Sequence, residues 1–278
     1  MNRKTMLRHM ARRLAAGIII ITIVIPTSAG NSYGKENKNL PTLIQATTLE
    51  EDYKALAKLE LAVTPLLLEE DLERAFENVL CSCVRIQTRE HYGSGSIYKM
   101  RENEIIIVTN RHVLEDFDDD SCVTFFNGAV GFGELLGMSD EADVGFISIS
   151  TASFPWEELL TYRNVRPLDT TEREDGAQKG MQQGNRADES IRFFCPDMAN
   201  YFETPVMKCG ELFPQAVYLE DFGMEMLYGR GSAAPGMSGS GVFDGRGNYL
   251  GMLTGATGAG EIAAVPLEVV RREYEEMN

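Results

Sequence analysis

Pro235-Gly236-Met237-Ser238-Gly239-Ser240-Gly241-Val242-Phe243 sets a serine between glycines and then runs straight into an apolar pair. Glycines let a backbone turn tightly and let another molecule approach closely. Such a turn can aim successive N–H groups at one point, as the stabilisation of an oxyanion requires; the candidate donors are those of Gly236 and Ser238. Ser238 is therefore a candidate nucleophile. Ser240 offers a second frame, and a glycine-rich hairpin without chemistry is the plain alternative. An α/β-hydrolase elbow needs a helix after its serine. Val242-Phe243-Asp244-Gly245 reads instead as a strand and a turn.

The neighbouring sequence extends the β reading. Strands are expected at Leu80–Gln87, Ser96–Met100, Ile105–Thr109, Val123–Phe126 and Val144–Ile149. They resume at Ile191–Cys195, Val206–Glu211, Ala216–Leu219, Met224–Tyr228, Gly241–Phe243 and Tyr249–Thr254. Many short strands separated by turns argue for an all-β sandwich or barrel. The stretch 169–190 is polar and has no hydrophobic period, so it reads as a loop or a connection between lobes. Thr48 with Glu51 forms a capping-box signature ahead of a helical stretch over residues 48–63. A second helical stretch covers Glu69 to Asn78, and Leu267–Met277 reads as a closing helix.

A serine nucleophile needs a base, and near neutral pH that is usually a histidine. The chain has three: His9, His91 and His112. His112 follows the apolar run Ile105-Ile106-Ile107-Val108-Thr109, where a strand ends and a turn begins. His91 lacks that context, and its neighbours Gly93-Ser94-Gly95-Ser96 read as a tight, exposed turn. Asp116, Asp118, Asp119 and Asp120 cluster beside Glu115 as a solvated acidic face. Asp143 stands apart, at the head of Asp143-Val144-Gly145-Phe146-Ile147. A carboxylate entering an apolar strand needs a partner, and a histidine N–H would supply one.

Together, Thr109-Asn110-Arg111-His112-Val113, Asp143-Val144-Gly145-Phe146 and Gly236-Met237-Ser238-Gly239-Ser240-Gly241 resemble the trypsin/chymotrypsin-like serine proteases. The order His, Asp, Ser is that of this group. Gly93-Ser94-Gly95-Ser96-Ile97 matches its glycine-serine segment ahead of the histidine, and Gly251 to Pro266 resembles the closing strands of bacterial Deg/HtrA-type and glutamyl-endopeptidase-type members. The resemblance covers roughly residues 70–275. It implies two six-stranded antiparallel β-barrels, the first over about 80–168 and the second over about 190–266. It also implies a catalytic set of His112, Asp143 and Ser238, with Gly236 and Ser238 N–H groups as the oxyanion hole. The implied activity is peptide-bond hydrolysis through an acyl-enzyme, on protein or peptide substrates and without cofactor or metal. The pocket-base position falls on Ser232, which lacks a carboxylate and so points to uncharged side chains; Glu261 could reverse that if it reached the pocket. Met237 and Ser240 depart from the usual family residues, and no peptide-binding PDZ module is expected after residue 266. A non-catalytic binding module and a latent zymogen, with residues 48–78 over the cleft, are the alternatives.

The 278 residues carry a formal charge of −16, so nothing in the balance attracts nucleic-acid phosphates. Arg3, Lys4, Arg8, Arg12 and Arg13 precede an apolar run from Leu14 to Ile25, then Pro26 and small residues. That order reads as a secretory signal over 1–29, with a linker and helical extension over 30–69. The apolar run falls short of the ~20 residues of a membrane span, so export without stable membrane insertion is expected, and an uncleaved anchor is the weaker reading. Five cysteines remain: Cys81, Cys83, Cys122, Cys195 and Cys209. Cys195 and Cys209 are the candidate disulfide, because their spacing could link neighbouring strands; five buried thiols are the alternative.

Overall fold

The run Ile105-Ile106-Ile107-Val108 is apolar at every position because both of its faces are buried. Ile105 and Ile107 point into one core with Val84, Ile86, Ile97, Ile147 and Ile149. Ile106 and Val108 point into another, shared with Phe146 on one side and Phe194, Phe243 and Met252 on the other. Side chains alternate along a strand, so one run serves two cores. The computed structural model describes residues 47–168, 190–198 and 204–277. The expected signal, most of the linker and nearly all of the polar stretch 169–190 lie outside the described residues.

The first sheet contains β1 (Cys83–Gln87), β2 (Tyr92–Met100), β3 (Glu104–Thr109), β4 (Cys122–Phe125), β5 (Val130–Gly131), β6 (Glu134–Met138) and β7 (Gly145–Ser150). Its order is β5-β4-β1-β2-β3-β7-β6, every recorded pairing antiparallel. The second contains β8 (Arg166–Pro167), β9 (Ile191–Asp197), β10 (Val206–Leu212), β11 (Val217–Leu219), β12 (Met224–Gly231), β13 (Gly241–Asp244), β14 (Asn248–Ala256) and β15 (Glu261–Pro266). There β10-β9-β13-β14-β15-β12 closes into a six-stranded barrel through a β10–β12 pairing. The architecture is all-β, two barrel-like sheets with few helices. A third core, with Phe193, Cys195, Val242 and Leu253, fills the second barrel.

Helix α1 (Leu49–Lys58) starts on Thr48, whose side chain and backbone exchange both capping-box bonds with Glu51. It buries Tyr53 and Ala57 on the first barrel, and the Tyr53 hydroxyl donates to the Arg101 carbonyl at 2.8 Å. Helix α2 (Leu72–Val79) is capped by Asp71 and sets Phe76 edge-on to Phe194 of the second barrel. This extension thus packs on the barrels. Helix α3 (Trp156–Leu159) follows the first sheet, and Trp156 packs against Tyr53. Helix α4 (Leu267–Met277) buries Leu267, Val270 and Tyr274 at helical spacing. Tyr274 lies across the first barrel, its ring centroid 4.9 Å from that of Tyr98 and 5.2 Å from that of Phe146.

Three expectations need correction. Gly93-Ser94-Gly95-Ser96 is buried strand, not exposed turn. Its glycines serve close approach: a Cβ on Gly95 would sit 2.9 Å from the Val108 carbonyl oxygen. Cys195 and Cys209 do lie on neighbouring strands, but Cys195 is opposite Lys208 and Cys209 opposite Phe194. Adjacent residues alternate in face, so the two thiols point to opposite sides of the sheet and stay free. Nor are all five thiols buried, since Cys209 is exposed.

Candidate active site

Strand β3 ends at Thr109, and a 3₁₀ turn over Arg111–Leu114 carries His112. Asp143 sits just ahead of β7, in a turn that Ser139 organises by accepting the N–H groups of Glu141 and Ala142. Two bonds lock that turn to the histidine turn: Asn110 Nδ2 donates to the Asp143 carbonyl at 3.0 Å, and Arg111 donates to the Ser139 carbonyl at 3.2 Å. The Asp143 carboxylate then accepts the His112 backbone N–H at 3.0 Å on Oδ1 and faces His112 Nδ1 at 2.8 Å through Oδ2. An ionised carboxylate only accepts, so Nδ1 carries the hydrogen and Nε2 keeps its lone pair.

A residue that sequence reading missed completes this corner. Thr254, on β14 of the second barrel, donates its hydroxyl to Asp143 Oδ2. Burial alone would push the Asp143 carboxyl up; the hydrogen bonds from His112 and Thr254 outweigh it and hold the group below its ordinary value. By linkage, the stabilisation from these bonds is present above the unfolded pKa and is lost as pH falls through the folded one.

Ser238 lies on the loop between β12 and β13, docked on β2. Ser94 N–H donates to the Ser238 carbonyl at 2.8 Å, and Ser94 Oγ donates to the Gly236 carbonyl at 2.8 Å. Gly93 is flanked from both sides: a Cβ there would sit 2.7 Å from Val113, beside His112, and 3.0 Å from the Ser238 carbonyl oxygen. Gly236 and Gly239 hold φ of 87° and 86°, which L side chains rarely adopt. A Cβ on Gly239 would also collide with the Ser94 carbonyl at 2.1 Å. Within the loop, Met237 N–H donates to Ala234, Gly239 N–H to Leu253 and Ser240 N–H to Met237. Gly236 and Ser238 N–H have no acceptor among the described residues. Ser240 is 2% exposed and donates its hydroxyl to the Pro196 carbonyl at 2.7 Å. Ser238 is half-buried.

Ser232 is exposed just past the end of β12. Glu261 pairs in register with Arg230, and its side chain meets Thr257 and Tyr228.

His91 is engaged after all, and so are two members of the acidic face, Asp116 and Asp118. Its Nδ1 lies 2.7 Å from Asp116, which also accepts from Thr88 Oγ1 and Glu90 N–H. The cluster clips the β1–β2 hairpin to the turn after His112; Arg89 adds an ion pair with Asp118. The bond to Asp116 raises the His91 pKa, helped by the charges of Asp116, Glu115 and Glu90, while Asp116 is lowered to about 2. The charged pair therefore contributes below the ordinary histidine value and is lost as pH rises through the folded one. In an NMR titration the His91 midpoint is expected above 6.5, falling back toward 6.5 in Asp116→Asn. A midpoint at or below 6.5 in the unaltered protein would contradict the clip.

Residues 93–252 match the family model of the trypsin-like peptidase domain. That match takes in more than half of the chain, which belongs to the trypsin-like peptidases. Among solved structures it resembles Rv3671c of M. tuberculosis H37Rv in the inactive form of a serine-to-alanine mutant, with a TM-score of 0.55 and 12% identity over 77% of this chain and 96% of that one. It also resembles Deg5, with a TM-score of 0.53 and 17% identity over 72% of this chain and 90% of that one. Identities this low make both of them likenesses of fold. No curated protein sequence matches the chain.

Proposed function

We propose that the protein is a serine endopeptidase whose nucleophile is Ser238, with His112 as general base and Asp143 as its orienting carboxylate. The observation that carries this reading is the bond between Asp143 Oδ2 and His112 Nδ1, 2.8 Å long, on a histidine whose turn abuts the Ser238 loop through Gly93. The choice of Ser238 over Ser240 is supported by the bond that already occupies the buried Ser240 hydroxyl.

In this mechanism Ser238 Oγ bonds to the peptide carbonyl carbon and gives its proton to His112 Nε2. The free N–H groups of Gly236 and Ser238 receive the oxyanion. The C–N bond then breaks, and the amine leaves with the proton from Nε2. Water, deprotonated by the same nitrogen, attacks the acyl carbon; the C–Oγ bond breaks, the acid leaves, and Nε2 returns its proton to Ser238 Oγ. Asp143 fixes the tautomer and stabilises the imidazolium between these transfers. The substrates are proteins or peptides; an uncharged side chain before the scissile bond suits the absence of a carboxylate at Ser232. The basic, apolar and small-residue order of residues 1–29 supports export, with residues 70–275 as the protease domain. Among the described residues no helix is long and apolar enough to cross a membrane.

A fluorophosphonate probe is expected to label the protein on one peptide containing Ser238. No labelling, or adduct on another residue, would overturn the assignment.

A further inference from the structure

On a second face, a groove of about 960 Å³ lies where the end of β2, the segment before β8, the N-terminal extension and α4 meet. In a chain of net charge −16 its lining inverts the overall balance. Lys58, Lys99, Arg101, Arg166 and Arg271 face it against two carboxylates, Glu60 and Glu275. Several of these cations are already held in place. Lys99 Nζ lies 5.2 Å and the Arg101 guanidinium 5.8 Å from the Tyr274 ring centre, and Arg101 also pairs with Glu104. Arg166 spends its Nε on the Thr64 carbonyl, and its two terminal nitrogens have no hydrogen-bond partner among the described residues.

A hydroxyl at the wall of the groove points the same way. Tyr98 is only 9% exposed, with its ring against Phe146 and Tyr274. Its hydroxyl has no hydrogen-bond partner among the described residues and opens on the groove beside Arg271. Burial raises this phenol to about 12, with Arg271 opposing the shift, so it stays protonated and can donate. That O–H is open to the groove, so a carboxylate held at Arg271 would accept from it.

We propose that this groove binds a short acidic peptide segment, at a site separate from the Ser238 cleft. Its volume is at the upper end of the range for pockets that enclose drug-sized molecules, so a single inorganic anion would leave most of it empty. A row of carboxylates would reach the separated cations at once. The site also has a mechanical relation to the cleft. Strand β2 meets the Ser238 loop at Gly93 and Ser94 and meets the groove at Tyr98 to Met100. Strand β14 holds Asp143 through Thr254 and meets the groove at Asn248. A ligand there touches both barrels at the far ends of the strands that hold the candidate catalytic side chains.

Fluorescence anisotropy of the full chain with a fluorescein-labelled oligoglutamate tests this, in the unaltered protein and in Ser238→Ala alike. Saturable binding that weakens with salt is expected. The double variant Lys99→Glu, Arg271→Glu should weaken it at least about tenfold. Tyr98→Phe, which keeps the ring packing, should weaken it several-fold with an unchanged melting temperature. Oligolysine binding as tightly as oligoglutamate, or unchanged affinity in the double variant, would overturn the proposal. So would inorganic phosphate displacing the peptide at equal concentration, which would mark a small-anion site instead.

Discussion

Ser238→Ala is expected to reduce peptide hydrolysis on the order of 10⁶-fold, a magnitude taken from nucleophile removal in serine proteases generally. The substitution deletes one oxygen and leaves the fold intact. Ser238 holds its place through its carbonyl, which accepts from Ser94, and that bond survives in alanine. The Gly236 and Ser238 N–H groups also survive, so a residual rate about 10³–10⁴ above the uncatalysed one should persist. Cleavage of a mixed peptide library, followed by mass spectrometry, measures the loss, and circular dichroism checks the fold. Full activity in Ser238→Ala would remove the assignment. Loss confined to Ser240→Ala would move it by two residues.

Asp143→Asn should lower turnover by about 10⁴, with substrate affinity little changed. All three groups that meet the carboxylate donate: His112 N–H to Oδ1, and His112 Nδ1–H with the Thr254 hydroxyl to Oδ2. Asparagine keeps one acceptor oxygen and turns the other position into a donor. If the amide NH₂ faces His112 Nδ1, the ring must carry its hydrogen on Nε2, and it can no longer take the serine proton. If the NH₂ faces the His112 backbone instead, two donors oppose each other in a half-buried corner. A steady-state comparison separates the cases: a fall in kcat at constant KM fits the orienting role. A fall of less than about tenfold would leave Asp143 a structural residue.

The strands and the three candidate side chains were legible because each carries a local signal. Ile105–Val108 declares itself by an unbroken apolar run, and His112, Asp143 and Ser238 stand out at strand ends or between glycines. Thr254 carries no such signal alone, since its meaning depends on Asp143, which lies 111 positions earlier. The cue was a hydroxyl ending the apolar run Tyr249–Leu253, placed much as Asp143 is placed at the head of its strand. Asp116 was hidden by its acidic neighbours, and only the hairpin bend that brings Thr88 and His91 to it distinguishes it. The glycine-serine run 93–96 misled because glycine serves turns and close approaches alike, and only the second barrel reveals what approaches. Strands β5, β6 and β8 are too short or too exposed to leave a period.

The helix Leu267–Met277 follows the second barrel in the chain yet lays Tyr274 on Tyr98 and Phe146 of the first. That arrangement makes the helix the cover of an aromatic face that the first sheet alone leaves bare. A polypeptide broken off before Leu267 could pair most of its strands, but two aromatic rings of its opening half would face water. Such a fragment would display, from the moment of its release, the kind of greasy surface that quality-control proteases and chaperones recognise. Only once this helix has been made are those two rings covered.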